Sequence, residues 1–287
     1  MGCSILLVER KNEKDNLQSW RQFYDLQPRH SMLLQHHGLG HAEYIWKLRQ
    51  NLKIILIFST LWNVPPMRLL VSFDGISVHL PPESTRKGWR ERARKTELHV
   101  DQSLLNSNLE SYQSWITAND VNENDATLVV LKGSHLLHAE FAEFVKGENK
   151  MSKTPEKDWY RLSEPQVQWY LNRGCEKVFV QCPRGSLCIW DSRTIHCGMQ
   201  ASNKRKVPNL RHVVYLCYTP RCKATEEHLR NRRKWFEQAR MTSHKPHSCR
   251  VFSKSPRVFA ANHLDFNMIR TPPALTRLGR RLVGYED

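Results

Sequence analysis

The 287-residue sequence has no CxxC pair, no internal repeat and no apolar run long enough to cross a bilayer. Its eight cysteines, at 3, 175, 182, 188, 197, 217, 222 and 249, form no regular framework and match none of the usual zinc-ligand spacings. Cys188 in "SLCIW" and Cys217 in "VVYLCYT" lie inside strand-like apolar runs. That placement suits small buried hydrophobes in a reducing compartment. The longest apolar run, Ile54–Trp62, falls far short of the roughly 20 residues a spanning helix needs. "MGCSILLVERKNEKD" turns charged too early for a secretory signal, and Leu6 stands where myristoylation wants Ser or Thr. The expectation is an intracellular protein, cytoplasmic or nuclear, with no transmembrane segment.

Acidic residues are also scarce: 28 Asp and Glu face 44 Lys and Arg, a formal charge of +16. Such an excess implies long-range attraction to something acidic without naming it. It is concentrated between Ala201 and Arg257, where 15 basic residues are opposed only by Glu226, Glu227 and Glu237. A run of this kind is either a solvated face or an anion-binding surface. With Trp235 and Phe236 interleaved, the anion could be a CoA-type phosphate, a nucleic acid or an acidic protein.

What is present in quantity is apolar residue, 40 % of the chain, enough for a sizeable core. Residues 1–40 are polar and irregular. Helical spacing of Ile45, Leu48, Leu52, Ile55 and Leu56 predicts one helix over His41–Trp62, stopped by "NVPP". "MRLLVSFDG" followed by "ISVHL" predicts a hairpin over Met67–Leu80. From Thr96 onward short strands dominate: Glu97–Asp101, Tyr112–Ala118, Thr127–Leu131, Lys177–Gln181, Ser186–Asp191, Arg193–His196 and Arg211–Thr219. "SHLLHAEFAEFV" and "SEPQVQWYLNRG" read as intervening helices, and Lys223–Met241 as a further one. This pattern is mainly β with flanking helices, a sandwich or barrel. It divides as an irregular 1–40, a main domain 41–222 with its β core at 96–222, and a basic extension 223–287 packed on it.

"TELHVDQSLL" sets His99 and Asp101 on one face of a strand and Leu98 and Val100 on the other. Two polar groups facing a protein interior need partners. His196 follows 97 residues later in "GSLCIWDSRTIHCG", just past a turn at Asp191–Arg193 that would brace it. Two imidazoles and one carboxylate are the facial triad of non-heme Fe(II) oxygenases, which leaves coordination positions open for cosubstrate and O2. Arg211, 15 residues beyond His196 on the next strand, suits a two-pronged grip on a carboxylate, with Arg205 as the competing choice. "QHHGLGH" places His36, His37 and His41 together without an acidic or Cys partner, which reads as a solvated loop.

The stretches "ELHVDQS", "SYQSWITANDVNENDATLVVLKGSHLLH", "GSLCIWDSRTIHCG" and "LRHVVYLCYTPR" resemble the phytanoyl-CoA dioxygenase family of Fe(II)/2-oxoglutarate oxygenases. The likeness covers roughly His99–Pro220, and more loosely "GHAEYIWKLRQNLKIILIFSTLW" through "VSFDG". It implies a double-stranded β-helix (jelly-roll) core and hydroxylation of an organic substrate coupled to decarboxylation of 2-oxoglutarate to succinate and CO2. The metal ligands implied are His99, Asp101 and His196. Arg211 becomes the 2-oxoglutarate clamp, and Trp115 and Gln113 are either cosubstrate contacts or core packing. Asp101 is the carboxylate that halogenating relatives lack, which points to oxygenation. The implied partner is a small-molecule or acyl- or phosphate-bearing substrate. A nucleic acid or protein substrate for the same chemistry, and a non-catalytic basic binding module on an oxygenase fold, are the competing readings. Variable loops over the barrel mouth set specificity, and "SFDGISVHLPPE" and "RKGWRERARK" are candidates for that rim.

Overall fold

The strand at Arg211–Pro220 is buried along nearly its whole length, as a near-continuous run of apolar and aromatic residues predicts for the centre of a sheet. A computed structural model describes residues 33–90, 97–147, 158–253 and 271–286. Among them ten strands run in the order β1 (Leu69–Val71), β2 (Ile76–His79), β3 (His99–Val100), β4 (Tyr112–Thr117), β5 (Thr127–Lys132), β6 (Tyr160–Arg161), β7 (Glu176–Phe179), β8 (Leu187–Asp191), β9 (His196–Met199) and β10 (Arg211–Pro220).

These strands form two antiparallel sheets. In the first, β10 lies between β4 and the edge strands β1 and β2, and β8 flanks β4. The second has the order β6-β3-β9-β5-β7. From β2 to β5 each successive strand changes sheet, β7 stays beside β5, and β8, β9 and β10 alternate again. That winding is a double-stranded β-helix, mainly β with flanking helices.

The predicted Met67–Leu80 hairpin is not formed. β1 and β2 do not pair with each other; both lie end to end along one edge of β10. The intervening Phe73 exchanges hydrogen bonds with Thr242, so a distant segment takes the place a hairpin partner would fill. Gly75 is required here, because any Cβ would run into the Leu34 carbonyl of the chain crossing it.

The predicted helix over 41–62 is two helices, Glu43–Arg49 and Leu52–Trp62. Asn51 separates them by capping the second, its side chain accepting from the Lys53 N–H at 2.9 Å. The strand expected at Arg193–His196 begins only at His196, because residues 191–194 form the turn. The Lys223–Met241 helix spans Glu226–Glu237, capped by Thr225. The C-terminal part contributes a bridge between Thr242 and Val251 and a helix at Arg277–Val283 that packs on β1.

Apolar side chains gather in three clusters. One lies between the helices and the first sheet around Trp46, Phe58, Phe73 and Phe236. Another covers the second sheet around Phe141, Trp169 and Tyr170. A smaller one, Trp115, Val121, Leu128, Trp190 and Val213, sits among β4, β5, β8 and β10. A cavity lined by residues of both sheets takes up further space in the interior.

The basic C-terminal part does not form a free cationic face throughout. Arg232 is fully buried and donates to the carbonyls of Val71, Leu282, Val283 and Pro246. Arg221 and Arg233 bind the Gly284 carbonyl, and Arg240 binds that of Phe252. Part of the positive charge therefore ties the C-terminal segments onto the barrel. The stretches 1–32, 91–96, 148–157 and 254–270, including Cys3 and the second half of "RKGWRERARK", lie outside the described residues. The seven described cysteines are free thiols. No described helix is long and apolar enough to cross a membrane.

Candidate metal centre

The register of β3 against β9 sets His99 directly opposite His196. Their rings lie 4.6 Å apart between centroids. Asp101 follows just past the end of β3, its two oxygens 3.6 Å from His99 Nε2 and 3.4 Å from His196 Nε2. One donor atom from each of the three lies within 4.8 Å of the others. Among the described residues this is the one such cluster of three or more His, Cys, Asp or Glu side chains.

Backbone carbonyls set the imidazole tautomers. His99 Nδ1 sits 2.8 Å from the Glu97 oxygen, and His196 Nδ1 2.9 Å from the Thr194 oxygen. A carbonyl can only accept, so in each neutral ring the proton resides on Nδ1 and Nε2 keeps its lone pair. Both lone pairs thus belong to the nitrogens nearest Asp101. Burial pulls the His99 pKa down against the opposing pull of Asp101, which favours the neutral, ligating form. Burial would raise the Asp101 carboxyl, but His99 and His196 outweigh it and hold it well below the usual carboxylate range. Two neutral imidazoles and an ionised carboxylate, pre-set in this way, fit Fe(II).

Gln113 on β4 donates to Asp101 Oδ2 at 2.8 Å. Its own oxygen accepts from Trp190 Nε1, also at 2.8 Å. Gln113 therefore reaches the carboxylate directly, and it also lines the cavity into which the centre opens. The turn before His196 is braced as expected: Arg193 makes a two-pronged pair with Asp191 at 2.7 and 3.0 Å, and Ser134 Oγ accepts from the Ile195 N–H.

The centre opens into a cavity of about 800 Å³. Arg211, at the start of β10, lines the same cavity and donates to the Ala126 carbonyl at 3.1 Å. Its guanidinium stands 5.4 Å from the Trp115 ring. Trp115 is fully buried behind it, and its indole Nε1 has no hydrogen-bond partner among the described residues. Arg205 points elsewhere, locked to Glu83 at 2.5 Å and to Asp125 at 3.0 Å. The "QHHGLGH" histidines do not converge as a metal site: His41 is buried, accepts from Trp46 Nε1 and reaches the Arg240 carbonyl, so it is a core residue rather than part of a solvated loop.

Trp190, Tyr215 and His244, none of them singled out from the sequence, also line the cavity. Trp190 shares the inward phase of β8 with Cys188, a period-two signal that was legible. His244 carries no such signal, because it lies in an irregular segment placed by tertiary contacts. Of the proposed rim, Asp74 in "SFDG" does line the cavity.

No family model matches the chain. It is 28 % identical over 214 residues to the Ava biosynthesis cluster protein O of Aspergillus versicolor, covering 74 % of this chain and 66 % of that protein. Among solved structures it is similar to GlcNAc Inducible Gene 2 of Candida albicans, at 14 % identity, TM-score 0.44, and 80 % and 62 % of the two chains. A second likeness is to EctD of S. alaskensis, at 13 % identity, TM-score 0.42, and 65 % and 57 %. A third is to the epimerase SnoN, solved with Fe3+, alpha ketoglutarate and nogalamycin RO, at 17 % identity, TM-score 0.37, and 62 % and 59 %. In each case the match spans less than two thirds of the other protein's length.

Proposed function

We propose that the protein is an Fe(II)/2-oxoglutarate-dependent dioxygenase that hydroxylates a small organic substrate, in the manner of the phytanoyl-CoA dioxygenase family. The observation that carries this reading is the meeting of His99 Nε2, His196 Nε2 and the Asp101 carboxylate inside a double-stranded β-helix whose cavity also holds Arg211. The oxygenase unit in this reading is 41–222, with 223–287 completing the cavity.

His99, Asp101 and His196 would hold the metal. When bound, Fe(II) supplies a redox-active Lewis-acid centre at which 2-oxoglutarate and O2 are converted to succinate and CO2 while one oxygen atom reaches the substrate. The remaining roles belong to the chain itself. Gln113 holds Asp101 in one orientation, and Trp190 fixes which end of the Gln113 amide faces it. Arg211 offers its guanidinium to the far carboxylate of 2-oxoglutarate, with Trp115 as the wall behind it. Arg205 is already paired with two carboxylates, which favours Arg211 for the clamp.

The test is uncoupled turnover. Purified protein with Fe(II), ascorbate and 2-oxoglutarate should release succinate slowly without added substrate. His99→Ala should abolish that release; unchanged release from the variant would refute the proposal.

A further inference from the structure

Beyond the metal donors and Arg211, the cavity of about 800 Å³ has a limb lined by Asp74 and by residues of the segment 243–252. One wall there is Asp74, which is 4 % exposed. Its Oδ1 accepts from Gln35 Nε2 at 2.9 Å and from the Gly75 N–H at 2.7 Å. Oδ2 has no hydrogen-bond partner among the described residues. The adjoining wall is the segment 241–252, joined through Thr242 to Phe73 beside Asp74 and folded back on itself through the Ser243–Arg250 and Met241–Phe252 backbone bonds. From it His244 lines the cavity, and its Nε2 is shielded from solvent with no hydrogen-bond partner among the described residues. His244 lies near enough to the centre to act electrostatically on both His99 and Asp101.

The cations around this limb are already engaged. Lys245 is buried between Glu110 and Asp158. Arg250 is 71 % exposed at the side chain and faces Asp158 at 3.9 Å. Arg211 stands beside Trp115 and is assigned to the dicarboxylate. Asp74 has no ion-pair partner among the described residues, and the nearby Arg49 guanidinium binds its backbone carbonyl rather than its carboxylate, at 2.8 Å. An anionic group would meet that carboxylate in a confined space, whereas a donor would satisfy it. Leu33, Trp159 and Phe252 supply apolar lining for the rest of such a molecule.

We propose that this limb is the substrate subsite, that Asp74 and His244 bind a hydrogen-bond-donating head group, a hydroxyl or an amine, and that the site discriminates against carboxylates and phosphates. The proposal rests on the oxygenase reading above. It also departs from what the net charge of the chain suggests, because among the described residues Arg221, Arg232, Arg233 and Arg240 bind the protein's own carbonyls.

The test uses protein loaded with Mn(II) and 2-oxoglutarate, probed with benzylamine, benzyl alcohol and benzoate of matched size. Binding is read from paramagnetic relaxation of the probe protons. Benzylamine and benzyl alcohol should bind and be relaxed, and benzoate should not. Asp74→Asn keeps the turn at Gly75 and should weaken benzylamine about tenfold, the effect of one charge-assisted hydrogen bond. His244→Gln should weaken benzyl alcohol, with 2-oxoglutarate relaxation unchanged in both variants. Benzoate binding as tightly as benzylamine, or either variant leaving its probe unaffected, overturns the subsite while 2-oxoglutarate binding keeps the oxygenase reading intact. Absence of 2-oxoglutarate relaxation in the Mn(II)-loaded wild type overturns both.

Discussion

Gln113 and Asp101 are joined by a 2.8 Å hydrogen bond between β4 of one sheet and the end of β3 in the other. The bond crosses the interior at the level of the metal donors and is anchored in turn by Trp190. A carboxylate with one oxygen fixed in this way has little freedom to swing out of the coordination position. Gln113→Leu should therefore lower metal affinity by about 10–100-fold, the range for groups that orient a ligand. Titration calorimetry with Mn(II) measures it, and affinity equal to wild type would show that Asp101 needs no such support.

Metal should also stabilise the fold, because His196 lies 97 residues beyond His99 and meets it only when β3 pairs with β9. At about 100 times its dissociation constant a ligand specific for the native state adds roughly 2.7 kcal/mol. For a chain of this size that is a rise in melting temperature of roughly 5–10 °C. The rise should be reversed by a chelator and missing in Asp101→Ala. A thermal scan with and without Mn(II) gives the answer.

Two arginines separate cosubstrate binding from stability. Arg211→Ala should weaken 2-oxoglutarate about 10–150-fold, the equivalent of roughly 1.5–3 kcal/mol for a charge-assisted contact. Arg205→Ala should leave 2-oxoglutarate affinity unchanged. It should lower stability by about 3 kcal/mol, because Asp125 is 5 % exposed and would lose its cation. Denaturant unfolding and 2-oxoglutarate titration of both variants distinguish the roles.

The pH dependence of stability has a defined sign. Burial holds both His41 and His79 down at about 3, while in the unfolded chain each returns to about 6.5. Below 6.5 the unfolded state binds more protons, so each group's contribution is complete above that pH and is lost as pH falls towards 3. Between pH 6 and 4 the unfolding free energy should fall by about 1.4 kcal/mol per pH unit for each of the two. His79→Leu should reduce that slope by one proton. Denaturant titrations at three pH values in that window check it, and an unaltered slope in the variant would count against a neutral buried His79.

Much of the site was legible along the chain because its chemistry follows strand periodicity. The HxD spacing, the turn before His196 and the alternation along Arg211–Thr219 each constrain which side chains face inward within a few residues. The strands of the core were legible for the same reason. Local pattern failed where a long-range partner overrode it. The "FDG" turn looked like a hairpin, but Thr242 binds Phe73 and both flanking strands pair with β10. The basic stretch looked like a surface for anions, but Arg232 and Arg221 are drawn inward by backbone carbonyls at the C-terminus.

Residue order alone settled which groups can ligate a metal and which faces of their strands they occupy, since alternation in a pleated strand is a property of adjacent residues. The pairing of His99 with His196, the choice of Arg211 over Arg205, and the placing of Asp74 and His244 on one cavity were decided by the tertiary structure. The first and last of those relationships join residues 97 and 170 positions apart in number, and only strand pairing within the second sheet and a returning C-terminal segment bring them onto one site.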